Sequence, residues 1–233
     1  MGFNNYQWEF LNKSFRATSL LTHEEQLPQA GIELQEENYY GKDMLELGCQ
    51  QIRDSVKKRL KSKSTARSYF RSIGIKDISI DIKGCLFSRA VDLREPMNKK
   101  YYNKFDIITN VGTTEHIVPL ESQYQAFKNI HMCAKKGATI VHILPGIGSY
   151  YGHCQTYYDY NFFKKLAKSN NYEVALIEPV KDRKTFLWIG VCFIKMEDNE
   201  FSKDKSSFFK YIEFIDKIKV KKHRKNKSRY MDG

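Results

Sequence analysis

The residues able to do chemistry in this chain fall just after short apolar runs. Glu46-Leu47-Gly48-Cys49-Gln50 closes the first run. A glycine there lets the backbone turn tightly and approach a ligand with no Cβ in the way, although a single glycine after a strand is often only a turn. Asp81 closes the second run, within Ser79-Ile80-Asp81-Ile82-Lys83-Gly84. A carboxylate at this place can accept hydrogen bonds from both hydroxyls of a ribose. Asp92 and Leu93 follow a third, shorter run. A side-chain acceptor followed by a backbone N–H can hold the amino group and a ring nitrogen of adenine. Asn110 and Gly112 end the fourth run, and Glu115 with His116 then begin a turn. His153 lies in a polar, aromatic loop, Ser149 to Tyr158, beyond the fifth. An imidazole titrating near neutrality can take the proton from a hydroxyl, and a loop histidine can equally be structural.

These positions matter only if regular elements bring them to one edge. The apolar runs are Met44–Leu47, Ser79–Ile82, Phe105–Asn110, Gly137–Pro145, Tyr172–Pro179 and Thr185–Met196, with a short one near Ala90-Val91. Helical spacing is found over Ser64–Ile73, Glu121–Lys135 and Asp159–Ser169, with Asp159 as an N-cap. Strands alternating with helices predict a parallel sheet covered on both faces, whose ligand lies outside the carboxyl ends of the strands. Only a short link joins the last two runs, so that pair is expected to be antiparallel. Trp8, Phe10, Leu11 and Phe15 predict a helical cap within 1–40, ahead of a main domain over 41–200. Phe208, Phe209, Ile212, Phe214 and Ile215 predict a helix in 201–233, followed by a basic tail.

Composition narrows the class. A chain of 233 residues can bury a substantial core, and no apolar run is long enough to span a bilayer. The N-terminus lacks the basic and apolar segments of a signal peptide. The five cysteines form no CxxC pair, which argues against a disulfide framework or a structural zinc site and favours the cytoplasm. The histidines show no tight metal-ligand spacing with Asp or Glu, so no metal is expected. His131 and His142 read as packed core residues. The net charge is +12, but eight basic residues between Lys217 and Arg229 account for all but +4 of it. That tail could contact phosphates, or could simply be solvated.

Taken in order, LELG, SIDIKG, AVDLREP, FDIITNVGTTEHI and CAKKGATIVHILP resemble the class I S-adenosylmethionine-dependent methyltransferases, and within them the branch with Glu-His after the fourth strand. The resemblance covers about Asp43 to Met196. It implies a Rossmann-like three-layer α/β sandwich with a seven-stranded, mostly parallel sheet whose last strand is antiparallel and inserted beside the fifth. It implies S-adenosylmethionine as cofactor. Glu46, Gly48 and Gln50 match the first motif, Asp81 the ribose-binding acid, and Asp92 with Leu93 the adenine-binding pair. Asn110, Gly112 and His116 match the segment flanking the methionine end. Two departures stand out: Gln50 occupies a position where a second glycine is expected, and Asp81 follows Gly48 by 33 residues, against about 20 in related nucleotide sites. The surplus, Arg53 to Ser64, is either a lid over the cofactor or a solvated insertion.

The loop around His153 favours O-methylation of a small molecule or sugar unit, with His153 and His116 as the catalytic candidates. An RNA-directed methyltransferase, or a nucleic-acid-binding protein using the basic tail, remains an alternative. A nicotinamide-dependent oxidoreductase would need GxGxxG where the chain has Gly48-Cys49-Gln50-Gln51-Ile52-Arg53.

Overall fold

Each apolar run ends where the backbone must turn sharply, and in the computed structural model each is a strand. The structure describes residues 2–22, 39–60, 65–84, 88–183, 186–216 and 219. β1 (Gly2–Phe3) and β3 (Gln51–Ile52) pair in a two-stranded ribbon, and the main sheet comprises β2 (Asp43–Leu47), β4 (Lys76–Asp81), β5 (Ser88–Ala90), β6 (Phe105–Val111), β7 (Ala134–Pro145), β9 (Tyr172–Arg183) and β10 (Phe186–Lys195). Their order is β5-β4-β2-β6-β7-β10-β9. β10 is antiparallel to both neighbours and lies between β7 and β9, so the other six strands share one direction. The chain moves outward from β2 to β4 and β5, then returns to β6 on the other side. The order therefore reverses between β2 and β6, where a ligand crevice opens in such sheets.

Helices cover both faces. On one face α4 (Ser122–Cys133) and α5 (Tyr160–Asn170) bury Phe127, Ile130, Phe162 and Phe163 against Ile108, Ile140 and Phe193. Asp159 caps α5 by accepting a hydrogen bond from the Asn161 N–H at 2.7 Å, and Asn171 ends it in the left-handed region. On the other face α1 (Asn5–Thr22) and α3 (Ala66–Ser72) bury Trp8, Phe10, Phe15 and Phe70 against Ile107, Val141 and Cys192. Burying each of these large side chains contributes on the order of 1.5–3 kcal/mol. Gly190 on β10 is what admits α1 so closely, since a Cβ there would stand 2.6 Å from the Phe10 ring. The N-terminal helix is thus packed directly on the sheet; residues 23–38 lie outside the described part of the chain.

Three local features differ from the sequence reading. The helix expected through Lys135 ends at Cys133, because Ala134 is already extended and pairs with Phe105. In the Arg53–Ser64 segment, α2 (Asp54–Leu60) buries Val56 in the α1 face, and residues 61–64 lie outside the described residues. At the C-terminal side a short helix, α6 (Lys205–Phe209), is followed by a strand, β11 (Ile212–Phe214), not by more helix. Ile212 and Phe214 flank Glu213 in a period-two pattern, and β11 pairs antiparallel with β8 (Thr156–Tyr158). The basic tail lies almost wholly outside the described residues. No helix among the described residues is long and apolar enough to cross a membrane.

Candidate functional site

A cleft of about 330 Å³ opens at the reversal point. Its lining includes Gly48, Gln50, Asp81, Asp92, Leu93, Gly112, Thr113 and His116. Gly48 and Gly112 both have positive φ, +81° and +67°, which glycine adopts without strain. At Gly48 the requirement is also steric. Thr113 reaches across to donate to the Leu47 carbonyl at 2.8 Å, and a Cβ on Gly48 would stand 2.5 Å from its hydroxyl oxygen. Gln50 turns its side chain inward, donating from Nε2 to the Val111 carbonyl at 2.7 Å. It ties the loop after β2 to the end of β6, which explains a long polar side chain where a second glycine was expected.

Asp81 bridges two loops. Its carboxylate accepts from the Cys49 N–H and the Lys83 N–H, both at 3.2 Å. Two carboxylate oxygens offer about four acceptor sites, so these bonds leave capacity for a diol. Asp92 is engaged differently. Arg94 Nε donates to both its oxygens at 3.0 and 2.9 Å, and this guanidinium holds the carboxyl below its ordinary range. Glu46 and Asn110 are buried beneath the cleft and are not among its lining residues.

Asn110 instead builds the turn that carries Glu115 and His116. Its Nδ2 donates to Thr114 Oγ1 at 2.9 Å and to His142 Nδ1 at 3.0 Å. Gln123 Nε2 donates to the Thr114 and Ile117 carbonyls at 2.6 and 2.9 Å, and the Tyr158 hydroxyl donates to Gln123 Oε1 at 2.8 Å. Burial pushes His142 down to about 3, so it stays neutral and accepts from Asn110. Tyr157 is likewise buried and fastens the next loop, donating to the Tyr150 carbonyl at 3.0 Å. Two tyrosines of the Ser149–Tyr158 loop, Tyr157 and Tyr158, are therefore internal struts.

The two loops converge on Glu115. Its side chain is fully buried, with His116 Nε2 at 3.5 Å and His153 Nε2 at 3.4 Å from Oε1. The two imidazole centroids are 5.1 Å apart, and the Trp188 ring packs edge-on to His153 at 5.2 Å. His116 and His153, the two catalytic candidates, are thus brought together, and His116 also lines the cleft. Sequence spacing did not disclose this group, because Glu115 and His153 lie on separate loops. Thr113, Thr114, Gln123 and Trp188 also escaped notice; polar residues at strand ends were the only available signal for the first two.

No family model matches the chain, and no curated protein matches it. Among solved structures it is similar to the Burkholderia thailandensis 1,6-didemethyltoxoflavin-N1-methyltransferase with bound 1,6-didemethyltoxoflavin and S-adenosylhomocysteine. That similarity spans 80% of each chain at 12% identity, with a TM-score of 0.52. It is also similar to the N-methyltransferase NodS of Bradyrhizobium japonicum WM9 in complex with S-adenosylhomocysteine, over 83% of this chain and 94% of that one, at 14% identity and a TM-score of 0.48. At such identities the likeness is one of fold. The fold is that of the class I S-adenosylmethionine-dependent methyltransferases.

Proposed function

We propose that the protein is an S-adenosylmethionine-dependent methyltransferase. The observation that carries this reading is the cleft at the β2/β6 reversal, lined by both Asp81 and His116. Its volume suits one small ligand. The donor and acceptor chemistry fits the cofactor: Asp81 would accept from the ribose diol, and Gly48 and Gly112 let the backbone approach. Asp92, held by Arg94, keeps an acceptor edge for the adenine amino group beside the Leu93 backbone. Gln50 and Asn110 act indirectly, by fixing the loops at the methionine end, and Glu46 supports the strand below. When bound, the cofactor supplies an electrophilic methyl group on a sulfonium.

The chain's own contribution at the other end is to orient an acceptor and handle its proton. We assign O-methylation of a small molecule or sugar unit. His153 would take the proton from the acceptor hydroxyl, while His116, on the cleft wall, orients it. Proximity supplies much of the rate of such a transfer. We further place the enzyme in the cytoplasm, on its cysteine usage. The test is a labelled-methyl transfer assay with S-adenosylmethionine against glycan, small-molecule, RNA and protein pools. Label in small hydroxyl compounds or glycans is expected. Label mainly in RNA would instead favour an RNA-directed enzyme, with the basic tail as the phosphate contact.

A further inference from the structure

Burying a carboxylate is costly unless its charge is compensated and its oxygens are bonded. Asp77 is also fully buried with neither oxygen hydrogen-bonded among the described residues, and burial raises its carboxyl to about 7 despite the nearby Arg67 and Arg71. Glu115 is equally buried and its oxygens likewise accept no hydrogen bond among the described residues, but its surroundings differ. What faces it is a pair of imidazoles, both presenting Nε2 to Oε1.

The distances are informative. At 3.4 and 3.5 Å the nitrogens are close enough to be drawn to the carboxylate but beyond the 2.7–3.2 Å typical of an N–H···O bond. They match the separation of two ligands on one ion. Bonds of about 2.0–2.1 Å in tetrahedral geometry put neighbouring ligand atoms about 3.4 Å apart. One nitrogen from each histidine and one carboxylate oxygen of Glu115 all lie within 4.8 Å of one another, so a small closure completes the set.

We propose that Glu115, His116 and His153 form a divalent metal site of two imidazoles and one carboxylate, open towards the cleft. That donor set suits zinc and first-row ions such as manganese, iron or cobalt over calcium. The supporting shell is already in place. The Asn110–Thr114–Gln123–Tyr158 network fixes the turn bearing two ligands, and Trp188 packs on the third. His116 touches the cleft, so an open coordination position would face the acceptor.

The role of the ion in catalysis rests on the methyltransferase reading; the site itself does not. In that role the ion binds the acceptor oxygen and lowers the pKa of its O–H, whose proton leaves to water. An oxygen lone pair forms the bond to the methyl carbon while the carbon–sulfur pair returns to sulfur, giving the methyl ether and S-adenosylhomocysteine. His153 then serves as a ligand in place of a base.

The experiment strips the full chain with a chelator, removes the chelator, and titrates with Zn²⁺ by calorimetry and Co²⁺ by visible absorption. One ion per chain is expected. Glu115→Gln, His116→Ala and His153→Ala should each weaken binding by at least roughly 10–100-fold, the loss seen when merely a supporting residue is removed. Circular dichroism checks the buried Glu115 variant, and the half-exposed His116 supplies a substitution that the fold tolerates. No saturable binding to the wild type, or equal affinity in the folded variants, overturns the site. Methyl transfer undiminished in stripped protein overturns the ion's catalytic role and leaves His153 as the base. Ion binding without methylation of any acceptor keeps the site and counts against the methyltransferase reading.

Discussion

Two pairs of histidines show how position in this fold decides what one residue type can do. His131 and His142 lie inside the α4 face, fully enclosed. His131 is bonded to the Tyr172 hydroxyl and the Asn199 carbonyl, both at 2.7 Å, and burial depresses it to about 4. His142, held at about 3, is an acceptor for Asn110 among aromatic rings. His116 and His153 come from loops beyond the strand ends, partly exposed, around a buried carboxylate. The strands and α4 fix the first pair as neutral packing groups. The loops bring the second pair together beside the cleft, the kind of place where binding residues gather on a rigid scaffold.

The sharpest way to break this contrast is at the rim. His153→Ala should preserve cofactor affinity and lower turnover by roughly 10²–10⁴-fold, the contribution of proton-transfer assistance, whether the imidazole takes the proton itself or holds the ion that acidifies the acceptor. Steady-state kinetics with the acceptor found in the transfer assay would show it, and wild-type turnover would reduce His153 to a structural residue.

The core pair predicts an effect on stability. Both histidines have folded values below the unfolded value of about 6.5, so the unfolded chain binds more protons in acid. Their stabilisation is therefore present above pH 6.5 and lost as pH falls towards 4, by on the order of 3 kcal/mol apiece. Urea unfolding at pH 7, 6, 5 and 4 measures this. Asp77, which burial raises to about 7, shifts stability the other way over the same range, so NMR separates the two: imidazole signals that titrate near 6.5 would show these histidines are not held neutral.

At the adenosine end, Asp81→Ala should weaken S-adenosylhomocysteine binding by about 1.5–3 kcal/mol, the range for a hydrogen bond to a charged group. Unchanged affinity in the folded variant would remove the ribose assignment. The smallest effect is expected far from the site: truncation after Ile215 retains β11 and should leave cofactor affinity intact. A soluble truncation that no longer binds would show that the C-terminal segment belongs to the cofactor-binding unit.

Much of the fold was legible because its signals are local. Apolar runs closed by Gly48, Gly112 or Pro145 alternate with helices such as the one capped by Asp159, and the short link after β9 leaves no room for a crossover. The order of Gly48, Asp81, Asp92 and His116 along the chain likewise located the cleft. What stayed hidden depends on long-range contact. The meeting of Glu115 with His153 joins two loops held by Gln123 and Tyr158, and no spacing rule reaches across them. Ile212 to Phe214 carries too few residues to reveal strand from helix, and its pairing with β8 decides. Gln50 read as a missing glycine because only the folded loop shows its amide reaching the Val111 carbonyl.

The central claim, that the cleft is a site for S-adenosylmethionine, is tested most directly by calorimetric titration of the full chain with S-adenosylhomocysteine and, separately, with NADH. The account predicts saturable binding of one S-adenosylhomocysteine per chain and none of NADH. Binding of NADH, or of neither, would contradict it.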